Sequence, residues 1–431
     1  MSLEKFPPKV KSLAELEALQ LQGLQWTVNH AYQNCSFYRD SFDQAGVVPG
    51  DIKTLDDVRR LPFTGADDFR RGYPYPLKSV SQEDIVRIHA SSGTTGKRKV
   101  VCYTQKDIDD WLDMFARCYE MAGLDAGDKV QICVGYGVWT AGVGFQLGCE
   151  RFGAMAIPSG PGNLEMQMTF LQDFGTTVLC CTASMALLVA QEVKKRGLRN
   201  SLQLKKIIAG SERTSAAMRS KIMELLGVEE YYDIPGLTEL YGPGTGLSCQ
   251  CSENIHYWAD YYILEILDPE TLEPVAPGEV GEMVYTTLGK EAAPLIRYRS
   301  RDLVRLIPEP CPCGCILPRH SPILGRSDDM FVIRGVNVYP SELDIILSSI
   351  KNIGSEYQVL LERRDDGKDY MILKVERGEG VAESLDEQSA GEIHARVRTE
   401  IMVAPIIEIV AYNELPRSER KTKRIFDNRD I

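Results

Sequence analysis

The chain has 431 residues, 44% hydrophobic and 26% charged, a profile that suits two or three folded domains and excludes a disordered polymer. Its net charge of −12 argues against a general nucleic-acid binder, which needs surplus Lys and Arg to neutralise phosphates. No run approaches the ~20 apolar residues that span a bilayer, and Met1-Ser2-Leu3-Glu4-Lys5 opens no signal peptide, so a cytoplasmic protein without a membrane partner is expected.

Leu13, Leu16, Leu19 and Leu24 recur at helical spacing and predict an amphipathic helix at the start. From about residue 85, short apolar runs alternate with helical stretches. The runs are Ile85-Val86-Arg87-Ile88, Lys129 to Val134, Thr176 to Cys181 and Leu204 to Gly210. That rhythm predicts an α/β domain around a mostly parallel sheet. Over about 257–306 the pattern becomes short strands joined by turns, notably Tyr261 to Leu267, Glu282 to Tyr285 and Leu303 to Leu306. A small antiparallel or barrel-like subdomain is expected there. After about 328 the reading is a helix starting at Pro340, a hairpin turn at Asp366-Gly367 and a helix over about 387–402. A last strand, Ile406 to Val410, precedes a basic tail. The expected organisation is a large domain over 1–326 and a small α+β domain over 328–431.

Ser91-Ser92-Gly93-Thr94-Thr95-Gly96-Lys97 follows a predicted strand. Glycines admit an anion close to the backbone, hydroxyls donate to it and the lysine adds charge. The phosphate loop of nucleotide hydrolases has four residues between its glycines and a Ser or Thr after the lysine. Here two residues separate Gly93 from Gly96 and Arg98 follows Lys97, so that class is disfavoured.

The same stretch resembles the ATP-phosphate loop of the adenylate-forming acyl–coenzyme A ligases, and five further segments agree in order. Gly210-Ser211-Glu212 resembles their adenine-site segment. Pro235-Gly236-Leu237-Thr238-Glu239 resembles the segment whose Thr touches phosphate and whose Glu holds Mg²⁺, and the preceding Asp233 and Ile234 are expected to bind the nucleotide with it. Tyr298-Arg299-Ser300-Arg301-Asp302 resembles the ribose-binding segment, with Arg326 in the same region. Leu324 to Asp329 resembles the hinge, with Asp328 at the pivot, before a mobile C-terminal domain. Pro416 to Lys421 resembles the segment that supplies a catalytic lysine. The family has glycine before this lysine and this chain has Arg420, so both Lys421 and Lys423 stay in view. Ile333 to Pro340 is similar in wording to phenylacetate–coenzyme A ligases.

The resemblance implies activation of a carboxylate by ATP as an acyl-adenylate, then displacement of AMP by the thiol of coenzyme A. Ser92, Gly93, Thr94, Thr95, Gly96 and Lys97 would hold the phosphates, and Lys421, Glu239 and Thr238 would act at the reacting centre. An aryl acid is the expected small-molecule partner, in a pocket of Tyr136, Trp139, Gly210, Pro235 and Gly236, where glycines leave room for a flat ring. Ordinary core packing is the competing account of Tyr136 and Trp139. A carrier-protein thiol is the alternative acceptor, and a homodimer is the base-rate expectation.

The twelve cysteines divide unevenly. Outside an oxidising compartment most are expected to be reduced and buried. Cys311-Pro312-Cys313-Gly314-Cys315 and Cys249-Gln250-Cys251 with His256 are the exception. Two thiolates from one loop plus a Cys and a His from another make a Cys₃His zinc site. Some members of the resembled family share the Cys249–His256 spacing and a later Cys-Pro-Cys-Gly. The expected structural Zn²⁺ ligands are Cys249, His256, Cys311 and Cys313, with Cys251 and Cys315 in reserve. Unliganded reduced thiols are the competing reading.

Overall fold

The computed structural model describes residues 3–91, 98–212, 214–334, 336–364, 368–416 and 424–429. The chain divides into two compact units. One comprises Met1–Ser211 and Leu226–Ile323; the other comprises Glu212–Leu225 and Leu324–Ile431. The second unit thus takes a segment from mid-chain that a linear reading assigns to the first.

The first unit opens on helix α1 (Leu13–Asn34), capped by the Ser12 hydroxyl, which accepts from the Glu15 amide. A hairpin of β1 (Arg87–Ala90) and β2 (Val100–Tyr103) follows, with β1 two residues later than its predicted apolar run. Helix α2 (Gln105–Met121) starts on a reciprocal cap between Thr104 and Asp107. Then strands and helices alternate: β3 (Lys129–Ile132), α3 (Ala141–Phe152), β4 (Met155–Ile157), α4 (Leu164–Asp173), β5 (Val178–Thr182), α5 (Ala183–Arg196), β6 (Lys206–Gly210) and β7 (Glu230–Ile234). The five strands form one parallel sheet in the order β4-β3-β5-β6-β7. Strands β5 and β6 are buried throughout, as central strands covered on both faces must be.

The turn-rich region forms the expected antiparallel layer. Strands β8 (Gly246–Cys249), β9 (Ser252–Tyr257), β10 (Tyr262–Leu267), β11 (Val280–Thr287), β12 (Tyr298–Ile307) and β13 (Arg319–His320) pair in the order β8-β9-β13-β12-β11-β10. Every pairing in that series is antiparallel. The late return of β13 between β9 and β12 carries the 308–318 loop back to β9.

The second unit carries a short hairpin of β14 (Phe331–Ile333) and β15 (Val336–Val338), then helix α6 (Pro340–Ser348). Strands β16 (Ile353–Arg363) and β17 (Asp369–Arg377) pair antiparallel. Helix α7 (Asp386–Glu400) and β18 (Ile406–Val410) follow. The strand β18 is not the last one. Strand β19 (Ile425–Asp427) adds in parallel to β16, and three residues in a basic tail are too few to show a strand period. Ile346, Leu373, Ile393 and Val397 form part of this unit's own core. The expected turn residues Asp366 and Gly367 lie outside the described residues.

Candidate functional site

The site in the first unit is built at the carboxyl end of the parallel sheet, where open α/β sheets bind ligands. Gly210 ends β6 and pairs with Ile234 at the end of β7. A Cβ on Gly210 would lie 2.2 Å from the Ile234 carbonyl oxygen, and one on Gly236 would lie 2.2 Å from the Pro243 Cα. Only glycine fits at either position. Ser211 follows with φ of +67°, left-handed backbone that redirects the chain as it leaves the sheet. Asp233 donates its amide to the Ser248 hydroxyl at 2.9 Å, tying β7 to β8.

Tyr136 and Trp139 stand on the loop between β3 and α3, both half-buried. Their rings pack back onto glycines: the Tyr136 ring covers Gly142 and the Trp139 ring covers Gly135. The Tyr136 hydroxyl is buried without a hydrogen-bond partner, and burial pushes its pKa up to about 12. His89, on β1, meets the Val138 carbonyl through Nδ1 at 3.1 Å, and its Nε2 has no partner. Burial pulls the His89 pKa down to about 4, so the ring is neutral near pH 7.

Glu239 is almost fully buried. The Tyr298 hydroxyl, at the head of β12, donates to its Oε1 at 2.8 Å, and the Lys99 ammonium pairs with the same oxygen. A hard carboxylate oxygen in this setting suits Mg²⁺, and the donor chemistry fits that ion. On its other side, the turn Thr238-Glu239-Leu240-Tyr241 is gripped by Lys290 and Tyr103 through its carbonyl groups.

Asp302 is half-buried on β12, and its amide donates to the Ser300 hydroxyl at 3.0 Å. Arg301 beside it has φ of +71°. In the second unit, Arg326 makes a two-pronged ion pair with Asp328, at 2.8 and 2.9 Å. Ser92 to Lys97, Lys421 and Lys423 lie outside the described residues.

The cysteine–histidine group is the most completely assembled part of the first unit. Cys249 ends β8 at a register shift, His256 lies in β9, and Cys311 and Cys313 come from the loop between β12 and β13. Gly314, at φ +81°, closes the turn by donating to the Cys311 carbonyl at 3.1 Å. All four potential ligand atoms lie within 4.8 Å of one another, and all four residues are buried. Cys249 Sγ lies 3.5 Å from Cys311 Sγ, and Cys313 Sγ lies 3.3 Å from His256 Nε2. Tetrahedral zinc with Zn–S near 2.3 Å spaces its sulfurs at about 3.8 Å. A disulfide spacing would be about 2.05 Å, and every cysteine here is free. The spacing and soft donor set therefore fit zinc.

Two second contacts shape this group. His256 Nδ1 faces the Leu317 carbonyl at 3.0 Å, which can only accept, so Nδ1 carries a hydrogen and Nε2 is the ring nitrogen turned toward the sulfurs. The Cys315 amide donates to Cys313 Sγ at 3.5 Å. Hydrogen bonding from Cys249, and then from His256, holds the Cys313 thiol well below its usual range despite burial. Cys251 is exposed and Cys315 half-buried; neither joins the group. The other seven cysteines are buried.

Lys99, Lys290 and Tyr103 carry no motif signal of their own. Lys99 comes two residues after the quoted loop, and Lys290 follows Gly289 in the turn after β11. Only the contact with the Glu239 turn marks them.

Residues 19–289 match the model of the AMP-binding enzyme family, and residues 335–429 match that of the AMP-binding enzyme C-terminal domain. The chain is 40% identical to a phenylacetate–coenzyme A ligase of Escherichia coli K12, covering 99% of this chain and 98% of the relative. It is 37% identical to a protein of the same name from Thermus thermophilus, covering 98% and 99%. Among solved structures, a 2-hydroxyisobutyryl-CoA ligase in the postadenylation state superimposes with a TM-score of 0.88 at 27% identity, covering 97% of this chain and 90% of that one.

Proposed function

The chain belongs to the AMP-binding enzyme family, and from that premise we propose that it joins an aryl acid of the phenylacetate type to coenzyme A in two ATP-dependent, AMP-forming steps. The observation that carries this reading is similarity to phenylacetate–coenzyme A ligases along nearly the whole chain. In the first step the substrate carboxylate attacks the α-phosphorus of ATP, an acyl-adenylate forms and pyrophosphate leaves. In the second, the coenzyme A thiol attacks the acyl carbon, a thioester forms and AMP leaves.

Both reactants of the first step are anionic, so cations and oriented donors must offset their repulsion. Lys421 is assigned to bridge substrate carboxylate and α-phosphate, and Gly93 to Lys97 to cradle the departing pyrophosphate. Thr238 donates to phosphate. Glu239 is the ligand for Mg²⁺, an ion that neutralises phosphate charge when bound. Asp302 is assigned to accept from the ribose hydroxyls, and Arg326, Gly210, Ser211, Glu212, Asp233 and Ile234 are assigned to bind the nucleotide. The aryl group takes the space by Tyr136, Trp139, Gly210, Pro235 and Gly236, where glycine backbones admit a flat ring. Asp328 is the hinge of a mobile C-terminal domain beginning at 328.

Cys249, His256, Cys311 and Cys313 are assigned to a structural zinc. Four protein ligands leave no open coordination position for catalysis. An ion held there would tie the end of β8 to the loop after β12. A cytoplasmic location is part of this reading, supported by cysteines that form no disulfide. No helix among the described residues is long and apolar enough to cross a membrane.

The deciding experiment is ATP–pyrophosphate exchange over a panel of aryl and fatty acids, repeated with coenzyme A and thioester detection. Exchange with phenylacetate-like acids and a coenzyme A thioester is expected. Exchange only with fatty acids, or an adenylate that coenzyme A fails to discharge, would refute the assignment.

A further inference from the structure

Lys290 has no solvent-exposed surface and no ion pair among the described residues. Its ammonium donates to the carbonyl oxygen of Glu239 at 3.0 Å and to that of Leu240. It also lies 5.1 Å from the ring centre of Tyr103 and 4.9 Å from that of Tyr241, within cation–π range. The Tyr103 hydroxyl completes the grip, donating to the Tyr241 carbonyl at 2.9 Å and sharing a longer contact, 3.4 Å, with that of Thr238. Two side chains therefore hold four successive carbonyls of one turn. That turn bears Thr238 and Glu239.

The lysine is itself delivered with care. Asp107, in the first turn of α2, accepts from the amides of Glu291 at 2.7 Å and Ala292 at 2.9 Å, the two residues after Lys290. The charges then alternate in series: Asp107, Lys290, Glu239, Lys99. Burial pulls the Lys290 pKa down to about 8, with Asp107, Cys102 and Glu239 acting to raise it. Burying an ammonium is costly, and an interior with only packing to do would use an apolar residue instead.

We propose that Lys290 is a positioning residue for the reaction: it holds the Thr238–Glu239 turn in the geometry that receives Mg²⁺-bound ATP and places a positive charge behind the Glu239 carboxylate. This rests on the ligase reading above, since Glu239 is the Mg²⁺ ligand there. Lys290 acts through the turn and touches no substrate.

Calorimetric titration of ATP with and without Mg²⁺ tests the idea on wild type, Lys290→Met and Tyr103→Phe. Methionine keeps the stem and removes the charge; phenylalanine keeps the ring and removes the hydroxyl. Lys290→Met is expected to weaken ATP binding about tenfold with Mg²⁺ and less than twofold without it, and Tyr103→Phe to shift the Mg²⁺ increment the same way by about threefold. In exchange assays the KM for Mg²⁺-ATP should rise while that for the aryl acid holds. Equal losses with and without Mg²⁺, or no loss, would overturn the proposal. If Lys290→Met fails to fold, an unchanged Mg²⁺ increment in Tyr103→Phe overturns it and a reduced one upholds it. The binding readout needs no turnover, so wild-type enzyme inactive on every aryl acid would sink the substrate reading and leave this result standing.

Discussion

His256 and Cys313 meet at 3.3 Å, ring nitrogen to sulfur, across 57 residues of chain. The pairing of β9 with β13 makes that meeting possible, because His256 lies opposite Arg319 and the loop before β13 must return over it. The carbonyl of Leu317, from the same loop, holds Nδ1 so that Nε2 faces the sulfurs.

Protein purified without chelator is therefore expected to carry about one zinc per chain by elemental analysis. Cys313→Ser should cut the zinc content and lower the thermal midpoint. Cys251→Ser, at an exposed position outside the group, should change neither.

At Glu239, the carboxylate and its donor can be separated. Glu239→Gln removes the charge and should slow pyrophosphate exchange about a hundredfold. Tyr298→Phe removes one hydrogen bond to a charged group, worth ~1.5–3 kcal/mol, and should cost about tenfold in the same assay. Equal rates for Tyr298→Phe and wild type would mean that the 2.8 Å contact does not orient the carboxylate.

Gly210→Ala should be destabilising. The added carbon falls 2.2 Å from a backbone oxygen of the neighbouring strand, so a strand must shift. A loss of ~1–3 kcal/mol by chemical denaturation is expected, together with a raised KM for the aryl acid. Gly46→Ala provides the control: no atom lies within 4 Å of the new carbon, and only its left-handed φ of +66° is strained.

Lys421→Ala should abolish exchange while ATP affinity, read by calorimetry, stays within about twofold, because the lysine is assigned to the charge that develops in the reaction. Retained exchange in Lys421→Ala with loss in Lys423→Ala would reassign the role to Lys423.

Asp328→Pro fixes φ at about −65° at the hinge position. It should leave one half-reaction near normal and slow the other, measured as pyrophosphate exchange and as thioester formation from preformed adenylate. Equal slowing of both would remove Asp328 from the hinge role.

Much of this protein was legible in its residues because the informative features are local. Short apolar runs such as Thr176 to Cys181 announce a parallel sheet, and the spacing of Leu13, Leu16, Leu19 and Leu24 announces a helix, since periodicity acts within a few residues. Strand β19 was not legible, for its three residues become a strand only by pairing with β16. Nor was the assignment of Glu212–Leu225 to the second unit, which contacts distant in sequence decide.

The sequence by itself determined the chemistry: an ordered set of short segments, each a backbone shape with a donor or charge attached, names an adenylate-forming enzyme. Length and composition alone suggested only two or three domains in an acidic chain with many cysteines. The tertiary structure decided which side chains converge. It drew Cys249, His256, Cys311 and Cys313 together and left Cys251 outside. It also buried Lys290 against the carbonyls of Glu239 and Leu240, 51 and 50 residues away. A motif records what one segment can offer, whereas a coordination shell or a buried ammonium depends on where strand pairing brings other segments, and that depends on the register of the whole sheet.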